Sequence, residues 1–161
     1  RTMTINLDDV AITVATPGDS RNRAPFSEHT DVVIDNVVIA SCTGGSVADI
    51  RAAVEVLGDH QVKAGVRLIV TPSSISVERE SEALGYLSIL RAAGAIITPP
   101  GCGSCIGNGP GVPPEGSITA STTNRNFARR MGGPGDVYLV SPAVAAACAI
   151  TGKLTDPRDL A

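Results

Sequence analysis

The chain of 161 residues carries a net charge of −3, an isoelectric point near 5.3, and 43% hydrophobic against 18% charged residues. That composition excludes a disordered polypeptide and fits one folded domain, and its acidic balance gives no general attraction to nucleic acid or anionic membranes. Neither a long uninterrupted apolar run nor a basic-then-apolar leader is present, which points to a soluble, cytoplasmic protein; the opening on Arg1 rather than methionine points to a piece of something longer.

Residues 1–31 are polar and rich in turns, with one short apolar stretch, Val10 to Ala15, able to form a strand. They read as a lead-in to a single α/β domain spanning 32–161. Aromatic residues make up only 2% of the chain, so the core must use Val, Ile, Leu and Ala, the residues of buried parallel strands and the helices covering them. From Val32 a β-branched run extends through Ile34 and Val37 to Ala40, predicting a buried strand that ends at Cys42. Ser46 and Asp49 have the spacing of a capping box, and Val47, Ile50, Val54 and Leu57 recur at helical spacing until Gly58.

The unit repeats. Val66 to Val70 predicts a strand, Thr71 to Ser74 a turn and cap, and Val77, Leu84, Leu87 and Leu90 one amphipathic helix ending at Gly94. Ala95 to Thr98 is a third strand. The stretch Pro99 to Gly111 holds too many glycines and prolines for a helix interior or a central strand. Strands over 117–122 and 137–140 follow, separated by a polar turn from Asn124 to Arg130, and an Ala-rich helix runs from Ser141 to Gly152 with Pro142 in its first turn. Strands alternating with helices predict a three-layer α/β/α domain with a mostly parallel sheet.

Ligands of such sheets bind beyond the carboxyl ends of the strands. Cys42, the loop carrying Cys102 and Cys105, and the turn from Asn124 to Arg130 each follow a predicted strand, so a parallel sheet brings all three to one edge. The four cysteines permit disulfides, but a reducing compartment and an aliphatic core favour free thiols that bind metal. Cys102-Gly103-Ser104-Cys105 is a single CxxC pair, joined only by the distant Cys42. Three thiolates suit an iron–sulfur cluster with one open iron better than a closed zinc site, which takes four ligands. A thioredoxin-like dithiol would open a helix instead.

Cys148 lies in an alanine-rich helical stretch and reads as a buried thiol. His29 and His60 read as surface residues. Arg125, Arg129 and Arg130 crowd into one turn of an acidic chain; guanidinium forks facing a metal centre would hold a di- or tricarboxylate, whereas the same turn alone would be a solvated surface. Gly101-Cys102-Gly103 begins like a dinucleotide fingerprint, but its third glycine, Gly107, comes one position late and no helix follows.

In order and spacing, Ser41-Cys42-Thr43, Gly101 to Gly107, Thr122 to Arg130 and Val140 to Ala143 resemble the third domain of the aconitase superfamily, which takes in the large subunits of 3-isopropylmalate dehydratase and homoaconitase. The resemblance runs from about Pro17 to the end of the chain. It implies a 4Fe-4S cluster held by Cys42, Cys102 and Cys105, with Asn124 beside it and Arg125 and Arg130 on the substrate carboxylates. It also implies a hydro-lyase acting on a hydroxylated di- or tricarboxylate, of isopropylmalate dehydratase type rather than homoaconitase or aconitate hydratase.

Two departures stand out. Gly44 occupies a place where the family commonly has asparagine, which implies a lost polar contact near the cluster. No residue matches the family's catalytic base, so the remaining domains of the large subunit and a small swivelling subunit or domain are implied as partners, and the chain alone as inactive. Arg129 falls where the family often has glycine and is assigned no role. The alternatives from other classes are a zinc-stabilised or redox module, disfavoured by the ligand count, and an RNA-binding form, disfavoured by the acidic charge and scarce aromatics.

Overall fold

Aliphatic, β-branched segments pair where the pattern predicts them. The computed structural model describes residues 2–6 and 9–160. A small antiparallel ribbon, β1 (Thr13–Val14) with β2 (Ala24–Pro25), precedes the main sheet. The sheet comprises β3 (Asn36–Ile39), β4 (Arg67–Val70), β5 (Ile96–Ile97), β6 (Ile118–Ser121) and β7 (Asp136–Leu139). Their order is β5-β4-β3-β6-β7, and all four pairings are parallel. Central β3 is buried along its whole length, as a strand covered on both faces must be. The chain builds outward from β3 through β4 to β5, then returns past β3 to start β6, so β3 and β6 flank a topological switch point.

One face of the sheet carries the helices. The capping box forms at α1 (Val47–Leu57): the Asp49 N–H donates to Ser46 Oγ at 3.2 Å, and Asp49 Oδ2 accepts from the Ser46 N–H at 3.0 Å. From α1, Ile50, Ala53, Val54 and Leu57 enter the core. Ser141 caps α4 (Pro142–Thr151), whose run from Val144 to Ala149 is buried against α1 and β3. Small alanines let these helices approach closely. Cys148 is fully buried among them, and burial pushes its thiol up to about 12, which agrees with a packing role.

The expected single helix through Leu90 is two helices, α2 (Ile75–Ala83) and α3 (Tyr86–Ala92). Gly85 between them has φ of 79°, a left-handed conformation that ends helical hydrogen bonding. Leu84, expected on the apolar stripe, is exposed, while Leu87 and Leu90 are buried. The strand expected to reach Cys42 stops at Ile39, and the stretch 32–34 joins no strand, making only an isolated bridge between Val33 and Lys153.

The opposite face of the sheet buries a smaller cluster of Val38, Ala40, Met131 and Val137. Right-handed connections from β5 to β6 and from β6 to β7 must cross this face. In this chain both are glycine-rich loops, relieved only by a 3-10 turn over Gly103–Ile106. The lead-in packs on the domain: Val14 and Phe26 belong to the main core, and Ala15 pairs with Leu139 through hydrogen bonds of 3.2 and 3.0 Å, covering the β7 edge.

Candidate functional site

The carboxyl ends of β3 and β6 carry the site. After Ile39 the chain turns sharply at Ser41, whose φ of 74° throws Cys42 outward, and the Gly44 and Gly45 N–H groups fold back onto the Ser41 carbonyl at 3.4 and 2.9 Å. Cys42 is exposed at the crest of this turn. After β5, the Gly101 N–H donates to the Pro72 carbonyl at 2.8 Å, tying the loop to the end of β4. Cys102 then opens the 3-10 turn and Cys105 lies within it, so Cys102 is exposed and Cys105 buried.

Backbone contact locks the cysteine loop to the arginine turn. A Cβ on Gly132 would lie 2.1 Å from the Gly107 carbonyl oxygen, so the two segments touch where no side chain could intervene. This contact delivers Arg130 onto the cysteine loop. Its Nη1 donates to the Cys105 carbonyl and its Nη2 lies 3.5 Å from Cys105 Sγ. Asn124 Oδ1 stands 3.9 Å from the same sulfur, and the Phe127 ring lies 5.8 Å from the Arg130 guanidinium. Cys105, Asn124 and Arg130 therefore meet. Arg125, with φ of 63°, and Arg129, with φ of 61°, are exposed on the same turn.

The non-glycine residues with positive φ among those described are Ser41, Arg125 and Arg129, neighbours in sequence of Cys42, Asn124 and Arg130. Left-handed backbone costs an L-residue roughly 1–2 kcal/mol, and such strain concentrates at functional sites. Its confinement to this edge points there independently of the cysteines.

The three thiols do not form a closed cage. Among the described residues no three Cys, His, Asp or Glu side chains are grouped as metal ligands. Cys105 lies beneath Arg130, while Cys42 and Cys102 are exposed. The donor set still suits a thiolate-bound group, since three thiols lie on two turns that each follow a parallel strand and one of them, Cys105, has Asn124 and Arg130 against it.

Several residues to which the sequence reading assigns no role hold this arrangement. Asn126 is 2% exposed, and its Nδ2 donates to the carbonyls of Thr16, Val137 and Ala15 at 2.7, 2.8 and 3.3 Å. Thr71 and Thr98, directly after β4 and β5, share a hydrogen bond of 2.6 Å. Thr122, directly after β6, accepts from the Ala40 N–H and donates to the Gly44 carbonyl, each at 3.0 Å. A threonine at the carboxyl end of three parallel strands is the one signal in the sequence that would have found these last contacts. Gly44 also differs from expectation: a Cβ there would lie 2.2 Å from Thr122 Oγ1, so the turn as built has no room for an asparagine side chain.

Residues 7–152 match the model of the aconitase family (aconitate hydratase). The chain is 45% identical over 157 residues to the 3-isopropylmalate dehydratase large subunit 1 of Methanopyrus kandleri, covering 97% of this chain and 38% of that protein. It is 43% identical over 159 residues to the 3-isopropylmalate dehydratase large subunit of Lachnoclostridium phytofermentans, covering 98% and 38%. The corresponding Clostridium kluyveri subunit is 40% identical over 161 residues, covering 99% and 38%. The chain thus spans well under half the length of these relatives. No helix among the described residues is long and apolar enough to cross a membrane.

Proposed function

Because the chain belongs to the aconitase family, we propose that it is the cluster-binding part of an iron–sulfur hydro-lyase of the 3-isopropylmalate dehydratase large-subunit type. Cys42, Cys102 and Cys105 would hold a 4Fe-4S cluster. When bound, a cluster with three protein thiolates supplies an open iron that acts as a Lewis acid on a substrate hydroxyl. Cys42 and Cys102 are exposed, where an open cluster edge can meet substrate, and Cys105 is buried.

The chain's own side chains bind and orient. Arg130, already over Cys105, offers its guanidinium to one substrate carboxylate, and Arg125 on the same turn takes another; bidentate pairing fixes the angle at which the substrate lies. Asn124 lines the wall beside the Cys105 sulfur. The base that removes the substrate proton comes from the part of the relatives' length that this chain does not span, and a small swivelling subunit or domain closes over the open edge. A cytoplasmic location goes with this assignment.

The meeting of Cys105, Asn124 and Arg130 between two loops carries the reading, because it sets a thiol, an amide and a carboxylate-binding fork side by side. The test is anaerobic iron–sulfide reconstitution of the full-length protein with its small subunit, assayed on isopropylmalate, homocitrate and citrate. Turnover of isopropylmalate, lost in Arg130→Ala, supports it. Turnover of homocitrate or citrate alone would move the protein to another branch, and stoichiometric zinc in anaerobically handled protein would replace the reading with a structural zinc module.

A further inference from the structure

One hydroxyl, from the residue that follows β6, joins the two ends of the turn that presents Cys42. Ala40 lies two residues before Cys42 and Gly44 two residues after it. Thr122 Oγ1 accepts from the Ala40 N–H at 3.0 Å and donates to the Gly44 carbonyl at 3.0 Å, so it grips both ends of the turn. It is the next residue after β6, its own N–H is held by the Val38 carbonyl at 3.0 Å, and it is 6% exposed. The grip therefore rests on the rigid centre of the sheet, at the switch point. Among the described residues neither backbone group has another hydrogen-bond partner: β3 has ended at Ile39, and the Ala40 N–H meets a side chain where a strand would meet a carbonyl.

We propose that Thr122 is a positioning residue for Cys42, and that Gly44 is the counterpart its hydroxyl requires. The proposal rests on Cys42 being a ligand, as assigned above. A Cβ at position 44 would stand 2.2 Å from Thr122 Oγ1 and 2.5 Å from its carbonyl oxygen. Any side chain at 44 must displace the hydroxyl or the backbone behind it. A buried N–H and carbonyl left unpaired favour opening of the turn, and an open turn lets the thiol of Cys42 wander from the position the other two must share. Ligand geometry is in this way set by a residue that does not touch the ligand.

The test uses the full-length protein and two measurements. In the cluster-free form, hydrogen exchange at the Ala40 and Gly45 amides should rise about tenfold in Thr122→Val, while the Gly107 amide, held by the Ser104 carbonyl in the other cysteine loop, keeps its rate. Thr122→Ser, which retains the hydroxyl, should restore slow exchange, and Gly44→Ala should reproduce the valine pattern. Should the valine variant fail to fold, Thr122→Ala leaves space for a water and gives the same local pattern in weaker form. In the reconstituted form, cluster loss to a chelator should quicken in Thr122→Val and return to normal in Thr122→Ser.

Exchange that is unchanged, or raised equally at Gly107, overturns the grip on the turn. Local exchange that rises while cluster retention stays at the wild-type rate overturns the link from the turn to the ligand. Failure of the wild-type protein to take up any cluster overturns the functional assignment on which the proposal stands, and is read separately from the exchange data.

Discussion

Replacing Asn126 with alanine should uncouple the arginine turn from the lead-in and from β7. The side chain is 2% exposed and its amide faces three carbonyls, at 2.7, 2.8 and 3.3 Å. An amide has two N–H groups, so two full hydrogen bonds and one shared contact are lost. At about 1 kcal/mol for each bond, plus the cost of carbonyls left dry, the local structure should weaken by about 2–4 kcal/mol. The Ala15 and Leu139 amides, which bond each other's carbonyls beside this site, report on it directly. Their hydrogen exchange should accelerate by about two orders of magnitude, while the Ala145 amide in α4, bonded to the Ser141 carbonyl, changes far less. Asn126→Asp sharpens the test, because an ionised carboxylate would face carbonyl oxygens. The folded protein would hold that carboxyl protonated, raising its pKa above the unfolded value of about 3.9, so stability is retained at low pH and lost as pH rises. The aspartate variant should therefore be more damaged at neutral pH than at about pH 4. Unchanged exchange at Ala15 and Leu139 in Asn126→Ala would show that the side chain does not hold the turn to the lead-in and β7.

Gly132→Ala should be more disruptive than its size suggests, since φ is +86° and the new Cβ would lie 2.1 Å from the Gly107 carbonyl oxygen; a destabilisation of about 2–4 kcal/mol in urea unfolding is expected, from left-handed strain and overpacking together. Iodoacetamide with mass spectrometry should label the exposed Cys42 and Cys102 in the cluster-free protein and leave the buried Cys148 untouched until unfolding. Cys148 also sets an alkaline limit. Burial raises its thiol from 9.0 to about 12, so its contribution is fully present below the unfolded value and is lost as pH climbs toward 12; Cys148→Ala should flatten that part of the stability profile, as followed by thermal melts from pH 8 to 11.

Local signals in the sequence carried much of the fold. Ser46 and Asp49 marked the start of α1 because a capping box is a short-range device, and β-branched runs marked the parallel strands because burial on both faces demands them. The break between α2 and α3 escaped the pattern: Leu84 continued the apolar periodicity, yet Gly85 turned left-handed and left Leu84 exposed. The end of β3 was also illegible, since it depends on Thr122, 82 residues away from Ala40.

At the site, Cys105, Asn124 and Arg130 were legible as sharing one edge because each follows a strand of a parallel sheet; their contact is set by the two loops. Asn126 was hidden for the opposite reason: its partners Ala15 and Thr16 lie more than a hundred residues away, in a segment whose polarity suggested no part in the core. Gly44 read as a missing polar group. Only the proximity of Thr122 reveals it as a place already filled.

The most direct test of the central claim is the metal and sulfide content of the anaerobically reconstituted full-length protein and its single cysteine-to-serine variants. Iron and acid-labile sulfide are expected in a ratio of about one, abolished in Cys42→Ser, Cys102→Ser and Cys105→Ser and retained in Cys148→Ser. A cluster that survives Cys42→Ser, or one that requires Cys148, would contradict it.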